Sequence, residues 1–81
     1  MPPIERLRNT FVEALGLDAN SDFESLTYGS TRQWDSVAHM SLIAGIESNF
    51  SVSLDVDDVI GLGSFTKAKE ILEKHGVSFR A

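Results

Sequence analysis

Ile4, Leu7, Phe11 and Leu15 recur at the three- and four-residue intervals that place side chains on one face of an α-helix. Pro2 and Pro3 sit where that helix would begin, a place where a missing N–H is tolerated, and Gly16 supplies a C-terminal stop. From Leu17 to Asp35 the period disappears. Asp18, Asn20, Ser21, Asp22, Gly29 and Ser30 favour turns, while Leu17, Phe23 and Leu26 are placed to pin a long loop to a core. A loop of that length in so short a chain often carries function.

The period returns from Ser36 to Phe50, the expected second helix. On a helical wheel this stretch has two apolar sectors. His39, Leu42, Ile43, Ile46 and Phe50 share the wider one, which is the expected core face, with His39 at its mouth. Val37, Met40 and Ala44 form a second, narrower strip flanked by Ser41, Glu47 and Ser48. An apolar strip beside an acid is the composition of a partner-docking surface.

Val56-Asp57-Asp58-Val59-Ile60, closed by Gly61 and Gly63, allows one or two helical turns. Ser64 is a strong N-cap for a last helix with Phe65, Ala68, Ile71 and Leu72 inward, an expected Glu70–Lys74 pair outward, and Gly76 as its stop. Lys67 and Lys69 stand near the start of that helix, against the preference of the dipole. No strand alternation or repeat interrupts the pattern. The expectation is an all-α fold: one domain over residues 1–81, a four-helix bundle with three long helices, a short third one, and a long loop between helices 1 and 2.

Composition narrows the function. With 81 residues, 42% hydrophobic and 23% charged, the chain is near the lower limit for a self-sufficient core and reads as soluble and globular. No run approaches the ~20 apolar residues of a membrane span, and the first residues lack the layout of a secretory signal, so a cytoplasmic location is expected. The net charge of −5 is uneven: Gln33 to Thr66 holds no Lys or Arg, but includes Asp35, Glu47, Asp55, Asp57 and Asp58. Such a block repels nucleic acid and attracts basic protein surfaces. Without Cys there is no thiolate nucleophile and no Cys-based metal site.

Candidate chemistry concentrates at Asp35-Ser36. The pair opens the second helix, where either side-chain oxygen can accept from orphan N–H groups and where the dipole favours an anion. A hydroxyl that can be esterified with phosphate thus meets a place that stabilises the product. Other constellations fail. Asp55-Val56-Asp57-Asp58 begins like a calcium loop, but Val59, Ile60 and Thr66 stand where the fifth and sixth positions and the closing Glu should be. Asp35, Ser36 and His39 have the residue types of a hydrolase triad without a nucleophile elbow or a second element to orient the histidine. His75 suits the negative end of the last helix and needs no further role.

Asp35-Ser36-Val37, followed by Leu42-Ile43, Ile46-Glu47 and Phe50, resembles the acyl carrier protein family, and the similarity of layout extends over nearly the whole chain. The resemblance implies covalent 4′-phosphopantetheine on Ser36, an arm whose thiol carries an acyl group as a thioester; the sulfur that the chain lacks would be imported. It implies that Asp35 supports attachment by the phosphopantetheinyl transferase, that Val37, Met40 and Ala44 contact partner enzymes, and that Glu47 and Asp57 meet their basic surfaces. Acyl-activating, acyl-transferring and acyl-accepting enzymes are the further partners implied. The chain itself would have no catalytic activity, bind no metal, and act as a monomer.

Ala38, Ser41 and Ser48 are neutral where carriers of primary fatty acid synthesis crowd acids, which shifts recognition towards Val37, Met40 and Ala44. Trp34 and His39 beside the serine resemble free-standing carriers of specialised pathways more than peptide-synthetase carriers; Trp34 also suits a loop anchor. Leu42, Ile46, Phe50, Ile60 and Leu62 could line a cargo pocket, though close packing favours a dry core that opens with cargo. The alternative class is a small helical interaction or regulatory module in which Ser36 is the helix N-cap or a phosphorylation site.

Overall fold

Local signals place the helix ends. The computed structural model describes residues 2–79. Helix α1 (Pro3–Leu15) has proline in its first turn and ends at Gly16, whose φ of 66° is left-handed and whose N–H returns to the Val12 carbonyl. Helix α2 (Ser36–Phe50) is capped by Asp35, whose carboxylate accepts the Ala38 N–H at 2.9 Å. This corrects the alternative in which Ser36 is the N-cap: Ser36 is the first helical residue, and its neighbour does the capping. Helix α3 (Val56–Gly61) starts at a capping box between Asp55 and Asp58, and α4 (Phe65–Lys74) starts at Ser64, whose hydroxyl accepts the Lys67 N–H at 3.0 Å.

The described residues are thus all-helical, with four α-helices and no strand; an isolated bridge pairs Thr27 with Ser64. The radius of gyration is 11.4 Å, against the roughly 12 Å of a folded chain this long, so the helices pack on one another. The segment joining α1 to α2 carries a 3₁₀ turn at Phe23–Ser25. Phe23, Leu26 and Trp34 of this segment are buried, and Tyr28 N–H donates to the Gly63 carbonyl at 2.9 Å. The core joins these anchors to Leu7, Phe11 and Leu15 of α1, to Leu42, Ile43 and Ile46 of α2, and to Leu62, Phe65, Ala68 and Leu72.

Helices α1 and α2 approach closely at Gly45, where a Cβ would lie 3.0 Å from Thr10 Cγ2. Thr10 is buried and fixed there: its hydroxyl donates to the Arg6 carbonyl and accepts from Asn49 Nδ2.

Two expectations need correction, and one feature gains an explanation. Ile60 is 78% exposed and stands with Leu62 at an open cavity rather than in a pocket with the buried Leu42 and Ile46, because α3 turns Asp58 and Val59 inward instead. Lys74 does not pair with Glu70: it reaches Asp58 on α3, and Glu70 pairs with Lys67 at 3.4 Å. Lys69, set against its own helix dipole, lies over the Phe65 ring and 3.6 Å from Glu24, which accounts for its place.

Candidate functional site at the start of helix α2

Ser36 sits at the exposed start of α2, and its hydroxyl makes no hydrogen bond among the described residues. Asp35 fixes it there from outside the helix, with the carboxylate on Ala38 N–H and the carbonyl accepting His39 N–H at 2.8 Å. The first-turn N–H groups of Ser36 and Val37 have no acceptor within the helix, a consequence of helix geometry, and with the dipole they favour a negative group on Ser36 Oγ. A phosphodiester at that oxygen fits: the hydroxyl is open to solvent, and the backbone around it is already held.

Beside the serine, α2 presents an apolar strip. Val37 is 77% and Met40 60% exposed, and Ala44, one turn further, is exposed too. The sequence pattern missed a second pair: Val56 and Ile60, one turn apart on α3, also face solvent. Their four-residue spacing was the available signal, since it puts both on one side of a six-residue helix. Asp57 is exposed in the first turn of α3. Glu47 is half-buried, and one of its carboxylate oxygens accepts the Leu54 N–H at 2.8 Å, so it also holds the turn after α2.

His39 stands one turn beyond Ser36 but does not serve it. Trp34 Nε1 donates to His39 Nδ1 at 2.9 Å, and His39 Nε2 donates to the Val59 carbonyl at 2.9 Å. Indole can only donate and a carbonyl can only accept, so both bonds select the same neutral tautomer. With both nitrogens engaged and Asp35 committed to Ala38, these three residues form no nucleophilic triad. A cavity of about 300 Å³ opens beside this histidine, lined by Tyr28, His39, Val59, Ile60, Leu62 and Gly63.

The acidic residues of α3 do not converge on a metal. Asp55 and Asp58 cap each other's backbone, and Asp58 turns into the molecule, where its carboxylate accepts from Lys74 Nζ and from His75 Nε2. Hydrogen bonds from Lys74 first, and from His75 second, hold the Asp58 carboxyl down from 3.8 to about 2. The same contact raises Lys74. Among the described residues no group of three or more His, Asp or Glu side chains is placed to hold a metal ion, and no helix is long and apolar enough to cross a membrane.

No family model matches the chain, and no curated protein or solved structure matches it at a significant level.

Proposed function

We propose that this chain is an acyl carrier protein, built as a four-helix bundle and active once Ser36 bears 4′-phosphopantetheine. The bound group supplies a thiol on a flexible arm, to which an acyl group is attached as a thioester. The observation that carries the reading is the state of Ser36: an exposed, unbonded hydroxyl at the N-terminus of a 15-residue helix whose cap is a different residue. A serine needed as the cap would have its oxygen occupied. Here the oxygen is open to esterification, and the helix start favours the charge that the ester brings.

The other residues have distinct tasks. Asp35 keeps the first turn in place and supports attachment. Val37, Met40 and Ala44 offer apolar contact to the transferase and to the acyl-activating, acyl-transferring and acyl-accepting enzymes. Glu47 and Asp57 add negative charge that steers basic partner surfaces. No side chain here acts as a base, and the chemistry of loading and unloading belongs to those partners. The segment between α1 and α2 works as the long loop of this fold, anchored by Phe23, Leu26 and Trp34.

Ser36→Ala leaves Asp35 and its hydrogen bond untouched. The variant is expected to fold as the parent does and to accept no arm from coenzyme A in the presence of a broad-specificity transferase. Modification of Ser36→Ala would place the attachment site elsewhere.

A further inference from the structure

His39 connects three elements through its two ring nitrogens: the segment before α2 through Trp34, α2 itself, and α3 through the Val59 carbonyl. Both partners are fixed in their roles. The Trp34 indole is 1% exposed, so its N–H has no water to turn to if its acceptor is lost. The Val59 carbonyl accepts from a neutral ring and more strongly from a charged one. Only the Nδ1 contact depends on the proton: once Nδ1 bears hydrogen, two donors face each other at 2.9 Å.

We infer that His39 is a proton-operated latch. Neutral His39 holds the Trp34 segment against α2 and α3. Protonation at Nδ1 severs the indole bond, keeps the Val59 bond, and frees the segment that forms the Tyr28 side of the adjoining cavity. The Tyr28 ring, 5.1 Å from the imidazole, and the Trp34 ring, stacked on it at 6.0 Å, are the aromatic neighbours on that side. Tyr28 is the one titratable neighbour lining the cavity with His39. The charged side chains of the elements that meet here are Asp18, Asp22, Glu24 and Arg32 of the segment between α1 and α2, Asp35 and Glu47 around α2, and Asp55, Asp57 and Asp58 around α3. The Asp35 carbonyl takes the His39 backbone N–H, but among the described residues no side-chain hydrogen bond or ion pair joins any of these groups to the imidazole. The titration therefore acts on the Trp34 contact itself. The latch exists whether or not Ser36 carries an arm, so its failure and that of the carrier reading are separate results.

The test is a proton and nitrogen NMR titration of the full chain from about pH 8 to about pH 5, following the His39 ring carbons, the single indole N–H and the amides of residues 28–34. The latch requires the indole signal to move upfield at the His39 midpoint, with amide exchange in 28–34 rising about tenfold or more beyond the ordinary pH trend. His39→Gln, whose amide can accept and donate without titrating, should abolish both changes. If that variant does not fold, His75→Gln assigns the two imidazoles in the parent, and an indole midpoint that follows His75 overturns the proposal. So does an indole signal that stays flat while His39 titrates, a change that persists in His39→Gln, or a His39 that stays neutral until the chain unfolds.

Discussion

Asp58 and His75 meet across the α3–α4 boundary, carboxylate Oδ2 to Nε2 at 2.8 Å, while the other carboxylate oxygen takes Lys74. Asp58 is 3% exposed, so the two bonds close the bottom of α3 onto the end of α4 around an acid that has little water of its own. Because the folded carboxyl is lowered from 3.8 to about 2, folding favours the ionised form. That contribution is complete above pH 3.8 and is lost as the pH falls through about 2. Lys74, raised by the same contact, contributes fully below 10.5 and loses its contribution as the pH rises through its folded value. Urea melts of the parent should therefore lose stability between those acid limits. Asp58→Asn should be less stable at neutral pH and show a shallower acid slope. Equal slopes in the two proteins would remove Asp58 from the account. The Lys74 end is solvent-exposed, so added salt should weaken part of the effect.

The two residues that open α2 should separate cleanly. Asp35→Ala removes the cap and is expected to cost about 1 kcal/mol of stability, whereas Ser36→Ala should stay within about 0.5 kcal/mol of the parent. Chemical denaturation of both variants checks this. A larger loss from Ser36→Ala than from Asp35→Ala would return the capping role to the serine.

Gly45→Ala sets helix propensity against packing. The substitution favours α2 by about 1 kcal/mol in isolation, but its Cβ would press on Thr10 Cγ2 at 3.0 Å. Thr10 cannot turn away without losing the Arg6 and Asn49 hydrogen bonds, so a net loss of about 1 kcal/mol is expected. In a Thr10→Ser background, which lacks Cγ2, the same change should become neutral or stabilising. A stabilising Gly45→Ala in the parent would show that the helices part easily there.

Val37 and Met40 carry little of the fold's stability because they face water. Val37→Ala and Met40→Ala should leave urea midpoints within about 0.5 kcal/mol of the parent, yet each should raise the KM of partner enzymes about fivefold or more. Steady-state kinetics with a transferase, using the carrier as varied substrate, reads this directly. Unchanged KM values in both variants would move the docking face elsewhere, with Val56 and Ile60 the next pair to alter.

What was legible in the sequence is what depends on neighbours in the chain. Helical spacing from Ile4 to Leu15 and from His39 to Phe50, with Gly16, Asp35 and Ser64 at the boundaries, placed α1, α2 and the start of α4 where the structure has them. Burial of Phe23, Leu26 and Trp34 followed from large apolar residues set among turn formers. The rest depends on partners far apart in the chain. Nothing local marks Asp58 as the acceptor of Lys74 and His75, and it reads as one more acid of a solvated run. Trp34 and His39 stand out in the sequence for flanking the serine, but their hydrogen bond to each other and the bond onward to Val59 depend on the fold. Ile60 read as core by residue type, and only the orientation of a six-residue helix turned it outward. Capping rules marked Asp35-Ser36 as the start of α2 but left either oxygen as the cap, and only the fold gives that bond to Asp35 and leaves the Ser36 hydroxyl exposed.

The carrier reading stands or falls on whether Ser36 accepts a pantetheine phosphate. The measurement is the intact mass of the purified chain after incubation with coenzyme A, magnesium and a promiscuous phosphopantetheinyl transferase, followed by peptide mapping. A carrier gains the mass of a single phosphopantetheine, and the modified peptide contains Ser36. An unchanged mass, with the chain folded and the transferase active on a control carrier, contradicts the claim and leaves a small helical interaction module as the leading description.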